Sequence, residues 1–146
     1  MNAAQVLVRH YHGDTAGRLP LSYEARFLRR RVLTTDDGED ILVDLEQTSS
    51  LDHGDALVLE DGRHIAIAAA PEPLLEITGD NLVRLAWHIG NRHTPCQVEA
   101  THLLIQPDHV IRDMLGKLGA TVIERVEPFT PEGGAYGHGR THSHAH

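Results

Sequence analysis

The second half of the chain carries the pattern that decides the fold: residues 74–126 read LLEITGDNLVRLAWHIGNRHTPCQVEATHLLIQPDHVIRDMLGKLGATVIERV. Apolar residues recur there in two places at spacings of three and four, which is the period of an amphipathic helix. The first helix is predicted to begin at a capping Asp80 and to stop at Gly90. Its apolar positions are Leu82, Leu85, Ala86 and Ile89.

The second predicted helix begins at Asp108 and stops at Gly119. The residues expected to be buried on it are Val110, Ile111, Met114, Leu115 and Leu118. Short apolar runs around the two helices predict strands at 74–78, 97–100, 102–105 and 121–126. The resulting order, β-α-β-β-α-β, is that of a ferredoxin-like domain. Two helices would cover one face of its sheet, which leaves the other face for a partner, most commonly a second copy.

The segments on either side of this domain differ from it in character. Residues 1–70 read as strands joined by tight turns, with Asp37-Gly38 and Asp61-Gly62 marking two hairpins, so a small all-β domain is expected. The Pro71-Glu72-Pro73 sequence suggests a hinge. Residues 129–146 are rich in glycine and histidine and are predicted to be a disordered tail. The fold class is therefore α+β, with domains at 1–70 and 71–128.

Composition excludes several classes of function. The formal charge of −8 argues against nucleic-acid binding, and no stretch is apolar for long enough to span a membrane. A single cysteine, Cys96, and an N-terminus without the pattern of a signal peptide lead us to expect a cytoplasmic protein. No nucleophile elbow, phosphate loop or metalloprotease motif is present, and an enzyme is not expected.

Histidine is the residue in excess, at 12 of 146 positions. Imidazole is the commonest protein ligand for Ni(II), Cu(II) and Zn(II). In the tail, His142, His144 and His146 alternate with small residues, and His138 precedes them, so that several rings can converge on one ion. The alternative is a purification tag or a solubilising tail.

Two further histidines are candidate ligands in the folded part. His93 follows the first helix, in GNRHTP, where it could be an ordinary loop residue or could share an ion with its copy across a two-fold axis. His109 stands in the first turn of the second helix, whose dipole disfavours a charged imidazolium and so favours the neutral, ligating form. A surface histidine beside a cap is the alternative reading. His102 and Cys96 are weaker candidates.

Four segments resemble the family of urease accessory proteins known as UreE. They are LDHGDALVLEDGR at 51–63, WHIGNRHTPCQ at 87–97, DHVIRDML followed by LGA at 108–120, and PFTPEGGAYGHG at 128–139. The resemblance implies a homodimer that captures Ni(II) as cargo and delivers it to the urease apoprotein through the GTPase UreG. It also implies that the N-terminal β domain binds protein partners.

The same resemblance assigns roles to individual residues. His93 would be the interface ligand from each subunit, His109 a peripheral ligand, and the tail an additional reservoir. Two departures from the family pattern stand out: some relatives carry a histidine where this chain has Pro107, and the position of Cys96 is often aliphatic. A general divalent-metal buffer, also able to take Cu(II) or Zn(II), is the alternative function, and a metal-dependent hydrolase is a more distant one.

Overall fold

The computed structural model describes residues 1–133, which form a mixed α+β protein. The chain divides into two compact units, the first comprising Met1–Ala70 and the second beginning at Pro71. The predicted tail ligands His138, His142, His144 and His146 lie outside the described residues. Neither helix within residues 1–133 is long and apolar enough to cross a membrane.

The first unit is a single six-stranded sheet. Its strands are β1 (Asn2–Val8), β2 (Gly17–Leu21), β3 (Phe27–Thr34), β4 (Asp40–Ser50), β5 (Ala56–Leu59) and β6 (His64–Ala69). They lie side by side in the order β2-β6-β5-β1-β4-β3. Both predicted hairpins are present, β3 with β4 and β5 with β6, and both turn glycines, Gly38 and Gly62, have a φ of 91°. An apolar cluster that includes Leu19, Ile41, Leu57 and Ile65 forms the core.

Strand β2 was not expected from the sequence, because it contains Gly17 and Pro20, which usually interrupt a strand. It pairs in parallel with β6 and stands at one edge of the sheet. Proline is tolerated in such a strand because the outward-facing N–H of an edge residue makes no bond within the sheet. The prediction failed because the pairing with β6 is non-local and leaves no mark in the sequence of β2.

The second unit contains the predicted order of elements. They are β7 (Pro71–Thr78), α1 (Leu82–Asn91), β8 (Cys96–Val98), β9 (Leu103–Ile105), α2 (His109–Lys117) and β10 (Thr121–Pro128). The four strands lie in the order β10-β7-β9-β8, and every neighbouring pair is antiparallel. Both helices pack their apolar faces on the sheet, in a cluster that includes Leu85, Ile89, Ile111 and Leu115.

Three local predictions in this unit were wrong. Residues 71–73 are not a hinge but the start of β7, where they pair with residues 126–128. Helix α1 is capped by Asn81 instead of Asp80, with the Asn81 side chain accepting a hydrogen bond from the Arg84 N–H at 3.1 Å. Val110, expected in the core, is 49% exposed.

The predicted disordered tail also begins too early. Phe129 is fully buried, the Thr130 N–H donates to Oε1 of Gln97 at 2.9 Å, and the Glu132 N–H donates to the Cys96 carbonyl at 2.9 Å. Residues 129–132, which we call the C-terminal strap, therefore run from β10 at one edge of the sheet to β8 at the other.

The strap crosses the face of the sheet opposite the helices. Gln97 pairs with Leu104, whereas the neighbours of Leu104 on β9, Leu103 and Ile105, point into the cluster under the helices. Because successive side chains of a strand point to opposite faces, Gln97 and Leu104 face away from the helices. The face predicted to be open to a partner is thus partly covered by the chain itself.

Replacing Phe129 with alanine tests this anchoring. We expect Phe129→Ala to lower the free energy of unfolding of the second unit by about 3–5 kcal/mol, because a large buried ring is removed. Both helices lie in the second unit, so urea unfolding followed by circular dichroism at the helix band measures it. Val126→Ala, at a side chain that is 69% exposed, is the control, with an expected loss below about 1 kcal/mol. Equal effects of the two variants would contradict the anchoring.

Candidate metal site

His93 occupies a defined position in the capping structure of α1. The helix ends at Asn91 with Arg92 as its C-cap, so it runs past Gly90, where the sequence had predicted the stop. The His93 N–H donates to the Gly90 carbonyl at 2.9 Å, and the Thr94 N–H donates to the Ile89 carbonyl at 3.4 Å. These two bonds define a Schellman motif, in which the residue after the C-cap adopts a left-handed backbone.

The left-handed residue of this motif is His93 itself, with a φ of 57°. Helix α2 ends in the same motif, but there the equivalent residue is Gly119, with a φ of 86°. Its bonds are Gly119 N–H to the Gly116 carbonyl at 3.1 Å and Ala120 N–H to the Leu115 carbonyl at 3.0 Å. Glycine adopts this conformation readily, whereas a residue with a Cβ pays about 1–2 kcal/mol. Such strain is concentrated at functional sites in proteins.

An exposed turn at His93 is followed by a half-buried stretch of chain. His93 is exposed, but the following residues Thr94, Pro95 and Cys96 are half-buried. Val83 and Trp87, one turn apart on α1, are 82% and 62% exposed. The helix that precedes His93 therefore presents an apolar strip, which is the kind of surface that proteins use to meet a partner.

His109 is the first residue of α2 and is exposed. Asp108 caps the helix, its Oδ1 accepting a hydrogen bond from the Ile111 N–H at 3.0 Å. His109 shares one surface groove with His88 of α1 and Asp113 of α2. A second groove beside it is lined by Arg112 and Glu124, among others. The structure thus places His109 and His88 along the same groove, which the sequence did not suggest, while His93 lines neither groove.

The weaker candidates are accounted for by local contacts. His102 is half-buried, with Nδ1 3.2 Å from Oγ1 of Thr101. Cys96 is half-buried against the cluster under the helices, and burial, aided by the nearby Glu132 carboxylate, raises the pKa of its thiol to about 11. A thiol with that pKa is protonated at neutral pH, whereas a metal requires the thiolate.

Two histidines of the first unit have structural contacts. Nδ1 of His53 accepts a hydrogen bond from the Ala69 N–H at 3.0 Å, and His64 stacks on Tyr11 with ring centroids 4.4 Å apart. Across residues 1–133 of one chain, three or more ligating side chains do not gather anywhere in a metal-binding group. Any ion held by these residues would therefore need ligands from elsewhere.

Comparison with known proteins agrees with the order of the two units. Residues 3–70 match the N-terminal domain of the UreE urease accessory protein, and residues 72–146 match its C-terminal domain. The chain is 63% identical over 147 residues to the urease accessory protein UreE of Ruegeria sp. (strain TM1040), covering 97% of this chain and 84% of that protein. It is 67% identical over 129 residues to the UreE of Ruegeria pomeroyi, covering 88% and 87%. With the UreE of Rhodobacter capsulatus it shares 53% over 144 residues, covering 99% and 92%.

These matches place the protein among the accessory proteins, which assist an enzyme and are not enzymes themselves. The chain belongs to the UreE family of urease accessory proteins. Its role accordingly lies in the maturation of urease, and the expectation that it is not an enzyme is confirmed.

The strain at His93 can be measured by exchanging the residues that follow the C-caps of α1 and α2, which are His93 and Gly119. We expect His93→Gly to raise the free energy of unfolding by up to about 1 kcal/mol, because relief of the left-handed strain exceeds the added freedom of the unfolded chain. Gly119→His should lower it by about 1–2 kcal/mol, since it introduces the same strain in α2. Urea unfolding of both variants provides the comparison. A loss of stability in His93→Gly would show that the histidine is not strained.

The protonation state of the Cys96 thiol can be tested by its rate of alkylation. With the pKa of its thiol raised to about 11, alkylation by iodoacetamide at pH 7.5 should be at least about a hundredfold slower than that of a free cysteine. The same protein unfolded in urea is the control and should react at the ordinary rate. Rapid alkylation of the folded protein would reopen a ligand role for this thiol.

Proposed function

We propose that the protein is a nickel metallochaperone, which captures Ni(II) and delivers it for assembly of the urease active site. The observation that carries the proposal is a solvent-exposed histidine, His93, held in a left-handed conformation that favours glycine. A histidine kept at such a cost to stability is expected where its imidazole has a function. Neutral imidazole is a good ligand for Ni(II), and membership of the family directs the metal towards urease.

The ion would be shared by two copies of the chain. A single imidazole holds a metal weakly, but a two-fold axis beside His93 would supply a second one from the partner subunit. The exposed Val83 and Trp87 on the preceding helix support a homodimer contact in this region. A surface site with few protein ligands suits a carrier, because a closed site with four ligands retains its ion.

Additional histidines would extend the capacity of this site. His109, in the groove with His88, is a candidate peripheral ligand, and His138, His142, His144 and His146 are candidate ligands of the tail. The Glu132 N–H donates to the carbonyl of Cys96, which lies three residues after His93 in the chain. This bond attaches the end of the strap to β8, the strand that follows His93. We infer that the tail histidines pass an ion to the folded site within one molecule.

The finer features of the fold and partners complete the proposal. The four-strand order and the antiparallel pairing support a ferredoxin-like arrangement of the second unit.

The first unit, Met1–Ala70, would bind protein partners, among them the urease apoprotein and the GTPase UreG. We place this activity in the cytoplasm. Nickel is the cargo, although imidazole ligands would also accept Cu(II) or Zn(II).

Nickel titration of a shortened protein tests the shared site. A chain ending at Gly133 keeps the strap and lacks the tail histidines, and we expect it to bind about one Ni(II) per two chains under native mass spectrometry. His93→Ala in that background should abolish this binding. In the full chain, His93→Ala should reduce urease activation at limiting nickel by at least about tenfold.

The shortened protein also separates delivery from storage. It should lose nickel capacity and still activate urease, because the folded site performs the transfer. His102→Ala is the matched control and should behave like the parent chain. If the shortened chain fails to activate urease while His93→Ala activates it normally, the protein is a tail-based buffer and the proposal is wrong.

A further inference from the structure

One edge of the six-stranded sheet in the first unit forms an unusual surface among the described residues. β3 (Phe27–Thr34) lies at one edge of the six-stranded sheet, and only β4 pairs with it within residues 1–133. Its residues 29–32 are exposed. An edge strand presents backbone N–H and C=O groups to the outside, and these can pair with a strand from another molecule.

The two edges of this sheet are not equivalent. The opposite edge strand, β2, has five residues, and one of them is Pro20. Proline has no N–H and interrupts the ladder that an added strand would need. β3 has eight residues and no proline, so its edge remains able to accept a strand.

A row of arginines makes the β3 edge chemically selective. Arg29 and Arg30 both reach the carboxylate of Asp44, at 3.7 and 3.6 Å, and both remain about half exposed. Arg31 is also exposed and forms no ion pair within residues 1–133. Two guanidinium groups thus share one carboxylate, and a third has no ion pair within residues 1–133, on a chain whose formal charge is −8. The strip carries the sign of charge opposite to that of the whole molecule.

Arg26, which directly precedes β3 in the chain, has a different role. It is 3% exposed, and its guanidinium donates to the carbonyls of Leu51 at 3.1 Å and Leu21 at 2.9 Å. It stabilises the fold of the first unit. The exposed set is therefore limited to Arg29, Arg30 and Arg31, which we call the β3 arginines.

We propose that the β3 edge binds an extended acidic segment of a partner protein, which adds to the sheet as a seventh strand. Backbone hydrogen bonds would provide the affinity, and the β3 arginines would select carboxylates on either face of the incoming strand. The planar guanidinium group is suited to this role, because it pairs with a carboxylate through two parallel hydrogen bonds. The inference rests on the proposed function only in taking the first unit as the part that binds partners.

The charges around β3 also argue against self-association and limit the part of the strand that can bind an acidic segment. A second copy of β3 would place arginines against arginines, so self-association along this edge is disfavoured. The turn after β3 contains Asp36, Asp37 and Glu39, which would repel acidic residues. Binding is thus confined to the first half of β3, around the arginines.

Three synthetic peptides separate strand addition from simple charge attraction. Each is fluorescein-labelled and about as long as β3, which has 8 residues: one alternates glutamate and valine, one alternates lysine and valine, and one is the glutamate peptide with alternate backbone nitrogens methylated. Anisotropy with the full chain should show binding of the first peptide, weakened by salt, and at least about tenfold weaker binding of the other two. Equal binding of the methylated peptide would overturn strand addition, and equal binding of the lysine peptide would overturn charge selection.

Charge reversal on the protein provides the matched comparison. The double substitution Arg30→Glu with Arg31→Glu should weaken binding of the glutamate peptide by at least about tenfold. Arg18→Glu, at an exposed position on β2, makes a charge change of the same kind on the opposite edge and should change binding by less than about twofold. Unchanged binding in the double variant would overturn the proposal. Matching circular dichroism spectra establish that both variants are folded.

Nickel measurements on the same variants keep this inference separate from the proposed function. The double variant should bind nickel as the parent chain does, because the β3 arginines and His93 belong to different units. If the glutamate peptide fails to bind while nickel binding depends on His93, the inference fails alone. If the peptide binds to the β3 edge and His93→Ala leaves nickel binding intact, the metallochaperone proposal fails and the inference stands.

Discussion

The Schellman bonds that end α1 require a left-handed backbone at residue 93, and the chain places a histidine there. This requirement fixes the direction in which the chain leaves the helix and enters Pro95 and β8. It also fixes the backbone of His93 within a hydrogen-bonded turn, from which the ring is presented. In the proposed site, a ligand on such a turn would need little ordering when Ni(II) or a second copy binds.

The rest of the second unit supports that turn. The apolar face of α1 packs on the sheet through Leu85 and Ile89, and Ile89 also supplies a carbonyl to the capping motif. Cys96, three residues beyond His93, packs beneath the helices and accepts a bond from the strap through its carbonyl. Helix, strand and strap therefore converge on one short stretch of chain. A histidine on a longer loop would lack this support.

The two units differ in the kind of surface that they present. The second unit exposes imidazoles and an apolar strip on α1, whereas the first exposes a row of arginines along one sheet edge. Neutral imidazole suits ions such as Ni(II), Cu(II) and Zn(II), and guanidinium groups suit carboxylates.

The sequence by itself determined the order of elements in the second unit, the two Asp-Gly hairpins and the excess of histidine, because these depend on local periodicity and composition. Tertiary structure decided what depends on distant partners: the parallel pairing of β2 with Pro20 inside it, the burial of Phe129 in a segment that reads as disordered, and the shared groove of His88 and His109. It also showed that α1 runs past Gly90 and leaves the left-handed position to His93. Glycine in a sequence permits a positive φ, but only the closing hydrogen bonds decide which residue must adopt it.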